Sequence, residues 1–138
     1  MTTTLITGCF DILHPGHIYI LKEASKFNDQ LYVGLNSDES IKKLKGNSRP
    51  INDFWYRFKV LSGIKYVNNI FKIEETPERL IHILKPNTIV VGGDYTPEKI
   101  ICRKYVLSYG GRVEVIPRLE EFSTTSVIKK FMHSSGTL

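Results

Sequence analysis

Apolar runs of strand length alternate, from one end of the chain to the other, with stretches whose apolar residues recur every three to four positions. Few folds accept that alternation, because each strand must be covered by the helix that follows it. Thr4-Leu5-Ile6, Leu31 to Leu35, Val67 to Ile73, Thr88 to Val91 and Val113 to Ile116 read as strands. Between them Ile18, Ile20, Leu21 and Ala24, then Phe54, Phe58 and Leu61, then Leu80, Ile81, Ile83 and Leu84, and finally Ile100, Ile101 and Tyr105 keep helical spacing. Pro77 and Pro97 suit first helical turns, Gly63 and the Gly110-Gly111 pair suit helix ends, and Pro86 marks a break. A last helix should begin near Ser123. The expectation is an α/β fold: a Rossmann-like, doubly wound, parallel five-stranded sheet with helices on both faces.

At 138 residues the chain has the size of one domain, read as spanning residues 1–138. No apolar run approaches the ~18 residues of a membrane span, and the N-terminus carries no Lys or Arg before Lys22, unlike a secretory signal. A cytoplasmic protein without a membrane partner is expected. Cys9 and Cys102 form neither a CxxC pair nor a disulfide framework, so both are expected to be free thiols.

The formal charge of +5 is local rather than spread. Between residues 41 and 65, Lys42, Lys43, Lys45, Arg49, Arg57, Lys59 and Lys65 face a single acid, Asp53. Such a cluster suits a nucleic-acid backbone, a small phosphorylated ligand or a solvated face. RNP, KH and helix-turn-helix signatures are missing, so no nucleic-acid partner is expected.

In a doubly wound sheet, ligands bind beyond the carboxyl ends of the strands, where helix N-termini favour anions. After the first strand the chain reads Gly8-Cys9-Phe10-Asp11-Ile12-Leu13-His14-Pro15-Gly16-His17. Gly8 permits a sharp turn, and Pro15 and Gly16 open a helix with its backbone accessible. His14 and His17, three apart, then share one face of the first turn. Two histidines so placed can cap the helix, bind phosphate or hold a metal. The chain has no HExxH and no third ligand at an obvious interval, so no protein metal site is assigned.

These residues match the HxGH signature, and the chain resembles the nucleotidylyltransferase superfamily. Ser123-Thr124-Thr125, after Arg118 and Glu120, resembles the RTxGISTT segment of the cytidylyltransferase-like branch, with Phe122 and Glu121 replacing its usual Ile and Gly. Gly92-Gly93-Asp94-Tyr95 falls where that branch lines the nucleotide pocket. Leu44-Lys45-Gly46-Asn47-Ser48-Arg49-Pro50, followed by Arg57, is similar to the LKGxxRP…R stretch of the D-glycero-β-D-manno-heptose 1-phosphate adenylyltransferases. The resemblance runs from about Ile6 to Lys130.

The resemblance implies transfer of a nucleotidyl group from ATP to a sugar 1-phosphate by direct in-line attack. His14, His17 and Lys45, the last on a mobile loop, would be the catalytic residues. Cys9, Phe10, Gly92, Asp94, Arg118, Ser123, Thr124 and Thr125 would hold the nucleotide; Asp11, Arg49 and Arg57 would hold the acceptor. Mg²⁺ would ride on the nucleotide phosphates. The implied partners are ATP and a phosphorylated small-molecule acceptor, and the implied assembly is a homodimer. The alternatives are a CTP-dependent enzyme acting on glycerol 3-phosphate or another alcohol phosphate, and a regulatory module that binds nucleotide without turnover. Blander roles remain beside these. Ser123 to Thr125 can cap the last helix, Asp94 can close an Asx turn, and Trp55, Tyr56 and Tyr95 can pack. Lys42 and Lys43 suit a solvated helix face. Cys9 has no paired base, so it is given no covalent role.

Overall fold

A computed structural model of the chain describes residues 1–93, 100, 102–117 and 124–135. In chain order they form β1 (Thr3–Gly8), α1 (Pro15–Ser25), β2 (Gln30–Asn36), α2 (Asp38–Lys45), α3 (Phe54–Ser62), β3 (Asn69–Ile73), α4 (Glu78–Leu84), β4 (Thr88–Gly92), α5 (Arg103–Ser108), β5 (Arg112–Ile116) and α6 (Thr124–Ser135). All strand pairs are parallel, in the order β3-β2-β1-β4-β5.

Side chains on a strand alternate between faces, and here the alternation sorts the core into two layers. Ile6 and Val90 join Leu21 and Ala24 of α1 and Phe54 and Leu61 of α3 on one face. Their neighbours Leu5 and Ile89 turn the other way, onto Ile81 of α4 and Val106 of α5. Strands buried on both faces explain why the runs read as continuously apolar. The expected doubly wound, five-stranded sheet is the one found. No helix among the described residues is long and apolar enough to cross a membrane.

Three local differences have physical causes. α2 has no apolar period, burying only Ser40 and Ile41, and its ends define it instead. The Ser37 Oγ accepts from the Ser40 N–H at 3.1 Å, Asp38 and Glu39 occupy the first turn, and Lys42, Lys43 and Lys45 occupy the last, all complementing the helix dipole. β3 begins at Asn69 rather than Val67, whose N–H is spent in a turn on the Ile64 carbonyl. α5 begins at Arg103, because Cys102 takes a left-handed conformation at φ 67° that a helix cannot include. Gly63 does close α3, Pro77 stands at the cap of α4 and Pro86 follows its end. Pro97 lies outside the described residues.

At the amino ends of the strands, side-chain amides take over where the ladder stops. The Asn68 Oδ1 accepts from the Leu31 N–H at 2.8 Å, and the Asn87 Oδ1 accepts from the Thr3 N–H at 2.9 Å. Asn28 donates through Nδ2 to the hydroxyls of Thr4 (2.7 Å) and Thr88 (2.8 Å), a cross-strand pair of β1 and β4 with no exposed surface. Asn28→Ala would leave both hydroxyls short of a donor, and is expected to cost about 1–3 kcal/mol in urea or thermal unfolding. An unchanged unfolding midpoint would remove the tie from the account of how β1 and β4 are joined.

Candidate active site

β1 connects to α1 on one face while its neighbour β4 belongs with α4 and α5 on the other, so the sheet changes direction between them. A crevice opens at the carboxyl ends of such a strand pair. The loop leaving β1 at this end is tightly folded. Phe10 adopts φ 46°, and its buried ring lies back over Gly8, where a Cβ would come within 2.9 Å of the ring. Any larger residue there would have to displace the ring. The same ring tilts against His17 at 5.3 Å between centroids.

His14 and His17 cap α1 reciprocally. The His14 Nδ1 accepts from the Gly16 N–H at 3.1 Å, and the His17 Nδ1 accepts from the His14 N–H at 3.3 Å. In these two residues the roles of the usual Ser/Thr and Glu/Gln capping box are filled by imidazoles. The rings stack with centroids 3.8 Å apart and planes at 28°. Each Nδ1 is thereby an acceptor, so the proton of each neutral ring belongs on Nε2. Burial first, then the neighbouring His14 and Lys45 charges, hold the His17 pKa down to about 3, against a smaller upward pull from Asp11. His17 is therefore a neutral hydrogen-bond donor at any physiological pH.

Asp11 is almost fully buried, and its carboxylate faces the chain. Its oxygens accept from the backbone N–H groups of Ile51 (2.7 Å) and Asn52 (2.9 Å), and the Asn52 side chain donates to the Asp11 carbonyl at 3.1 Å. The Arg49 Nε stands 3.4 Å from the Asp11 Oδ2 as an ion pair, yet that buried N–H makes no hydrogen bond.

Arg57 departs furthest from expectation. Read from sequence as a residue that holds the acceptor, it is 1% exposed. Its Nε donates to the Asn52 carbonyl (2.9 Å), one Nη to the carbonyls of Cys9 (2.9 Å) and Asn36 (2.8 Å), and the other Nη to the Asp38 carboxylate (2.7 Å). Four N–H directions of its fork are committed to the protein, where the sequence reading expected this side chain to hold the acceptor. Asn52, Asn36 and Asp38, its partners, were not singled out in the sequence. The available signal was a charge at position 57 on the apolar face of Phe54, Phe58 and Leu61.

Lys45 is also placed differently. It is the last residue of α2 and exposed, with the loop beginning only at Gly46, which has φ 96° and open space around it. The Lys45 charge nonetheless bears on both His17 and Cys9 in the loop and first turn after β1. Burial pushes the Cys9 thiol up in spite of Lys45, Arg57 and Arg49 nearby, consistent with a thiol that is not a nucleophile. Cys9 and Cys102 are both free. Gly92 closes β4, and Thr125 is exposed in the first turn of α6, which Thr124 begins. Asp94, Arg118 and Ser123, with Tyr95 and Glu120 to Phe122, lie outside the described residues.

The His17 shift has a signed consequence for stability. Unfolded, this imidazole takes up a proton below about pH 6.5, while in the fold it resists protonation until about pH 3. Between those values the unfolded state binds more protons, so stability must fall as the pH is lowered. His17→Gln, which keeps an acceptor at the capping position, is expected to flatten that slope in urea unfolding series from pH 7 to pH 4. An unaltered slope would show that His17 titrates normally.

Over residues 5–131 the chain matches the family model described as cytidylyltransferase-like. It is 49% identical over 131 residues to "Bifunctional protein HldE" of Actinobacillus pleuropneumoniae serotype 5b (strain L20), covering 94% of this chain and 28% of that protein. It is 44% identical over 130 residues to the protein of the same name from Geobacter metallireducens, covering 94% and 26%. The chain thus spans about a quarter of the length of these curated relatives. Among solved structures, a lipopolysaccharide core biosynthesis protein from Thermoplasma volcanium GSS1 superposes with a TM-score of 0.68 at 29% identity, over 86% of this chain and 96% of that one. A pantoate-beta-alanine ligase from Francisella tularensis, 18% identical, shares the fold at a TM-score of 0.58, over 91% of this chain and 67% of that one. With a family match running from the first strand into the last helix, the chain belongs to the cytidylyltransferase-like family and is a nucleotidyltransferase enzyme.

Proposed function

We propose that the chain transfers the adenylyl group of ATP to D-glycero-β-D-manno-heptose 1-phosphate. An oxygen of the sugar phosphate attacks the α-phosphorus in line, the bond to the β-phosphate oxygen breaks, and ADP-heptose and pyrophosphate leave. The observation that carries this reading is the reciprocal cap of His14 and His17 at the sheet's switch point, which turns two Nε2–H donors into fixed parts of a helix N-terminus. The heptose acceptor is favoured by the LKGxxRP stretch, by the relatives named HldE and by the neighbour named for lipopolysaccharide core biosynthesis.

The attacking phosphate is already an anion at neutral pH, so the reaction needs no strong base and rests on positioning and charge stabilisation. His14 and His17 donate to phosphate oxygens that gain charge in the transition state. Lys45, from the end of α2, neutralises the triphosphate. Arg49, whose Nε is paired in charge with Asp11 but makes no hydrogen bond, would turn toward the acceptor phosphate. The backbone at Cys9, Phe10 and Gly92 flanks the nucleotide, and Asp94, Arg118, Ser123, Thr124 and Thr125 complete its pocket by their resemblance to the family segments. Asp11 spends both carboxylate oxygens on backbone N–H groups, so the Mg²⁺ that accompanies ATP would be carried by phosphate oxygens and water, where it offsets triphosphate charge. The second reading, CTP with glycerol 3-phosphate or another alcohol phosphate, is favoured by the family model's own description.

Pyrophosphate release measured for ATP, CTP and GTP against a panel of sugar and alcohol phosphates separates these readings. ATP with the heptose 1-phosphate is expected to be fastest. A preference for CTP with glycerol 3-phosphate would replace the substrate assignment, and no turnover with any pair would favour a regulatory module. His17→Ala should lower kcat by on the order of 10²-fold, the scale of one oriented donor to developing charge. A raised KM at constant kcat would reduce the histidine to a binding role. Lys45→Ala should leave the Tm of the free protein nearly unchanged and cut turnover strongly, whereas Lys42→Ala should change neither. Equal behaviour of the two lysine variants would return Lys45 to ordinary surface charge.

A further inference from the structure

The two groups expected to meet the triphosphate, the histidine pair and Lys45, stand on different elements, and only a few bonds hold those elements at a set distance. α2 is eight residues long, too short to be stable alone, and buries only Ser40 and Ile41. Its start is gripped by the Arg57 fork, which holds the Asn36 carbonyl at 2.8 Å and the Asp38 carboxylate at 2.7 Å. One Nη of the same planar group holds the Cys9 carbonyl, five residues before His14. Its Nε reaches Asn52, which is in turn bonded to Asp11 twice. A guanidinium has fixed angles between its N–H groups, so it behaves as a gauge between the loop after β1 and the start of α2.

We propose that Arg57, working through Asp38, is a positioning residue that sets the distance between Lys45 and the His14–His17 pair without touching substrate. The assignment rests on the proposed nucleotidyl transfer for its kinetic consequence, while its geometric claim stands apart from that chemistry. Arg57 is tied to the loop after β1 by the Cys9 carbonyl, to the approach to α3 by the Asn52 carbonyl, to the end of β2 by the Asn36 carbonyl, and to α2 itself by the Asp38 side chain, so the Asp38 bond is the place to cut. The Asp38 side chain is 36% exposed while that of Arg57 is fully buried, and Asp38→Asn removes the charge but keeps an oxygen that can accept from the guanidinium, so the buried fork is not left without a partner. A purely structural tie and a positioning tie therefore predict different things.

The experiment combines Asp38→Asn, Lys45→Ala, the double variant and Arg57→Lys, which keeps the charge but not the fork. Thermal melting, kcat and KM for pyrophosphate release, and the titration of ¹³C-labelled His17 are read for each. The charges acting on His17 are those of His14, Lys45 and Asp11, so the imidazole reports where Lys45 stands. Asp38→Asn is expected to leave the Tm close to wild type and lower kcat roughly tenfold, with a smaller change in KM. In the Lys45→Ala background the same substitution should cost less than about twofold, the non-additivity of residues acting as a unit. His17 should titrate at higher pH in Lys45→Ala, in Asp38→Asn and in Arg57→Lys alike. Equal kcat losses in both backgrounds, wild-type kcat in Asp38→Asn, or a His17 titration that moves only in Lys45→Ala would each overturn the proposal. A wild-type protein that releases no pyrophosphate would defeat the proposed function, and the histidine titration would still decide the positioning claim.

Discussion

A guanidinium shielded from water must find its acceptors inside the protein, and Arg57 finds four of them on three separate segments. Two are main-chain carbonyls at the ends of neighbouring strands, where the ladder has stopped and the carbonyls need donors. The buried carboxylate of Asp11 solves the opposite problem nearby, taking two backbone N–H groups from the segment that leads into α3. The two charges are joined through Asn52, which gives to Asp11 and accepts from Arg57. Opposite charges spaced by a peptide in this way satisfy the backbone of a loop region that has no ladder of its own. The loop after β1, the start of α2 and the approach to α3 consequently form one unit rather than three.

The histidines show the same economy at the helix start. A first turn has unpaired N–H groups wherever it occurs, and the commonest solution is a hydroxyl or carboxylate with no further use. Here imidazoles do the capping. Each Nδ1 is spent on structure, and that expenditure decides which nitrogen carries the proton. The burial of His17 then keeps its proton count constant across the physiological range. Local stability and chemical readiness are the same pair of bonds.

Much of this was legible in the residues. The five strands follow from apolar runs bounded by turn residues, and the two-faced core from the continuity of those runs and the helices between them. His14 and His17 could be placed at a helix start because Pro15 and Gly16 punctuate it. α2 was harder to read, since a helix defined by Ser37, two acids and three lysines has no apolar stripe to detect. Arg57 marked itself as unusual by its position among Phe54, Phe58 and Leu61, but its acceptors lie up to 48 residues away. Spacing along the chain carries no information about carbonyls that only the finished sheet brings together. Asp11 is a similar case, its partners lying 40 and 41 residues on.

A parallel sheet has a direction, and this one uses its two ends for different work. All five strands begin at the end where Asn28, Asn68 and Asn87, each one or two positions ahead of a strand, close the backbone with amide side chains. All five finish at the end where the loops carry imidazoles and cations. The distance between the ends is the length of a strand, so a substitution at one is insulated from the geometry of the other. Robustness and reactivity are therefore separately adjustable in this scaffold: the asparagine end can drift or be reinforced while the opposite rim keeps its chemistry, and the rim can be rebuilt for another acceptor without loosening the sheet that supports it.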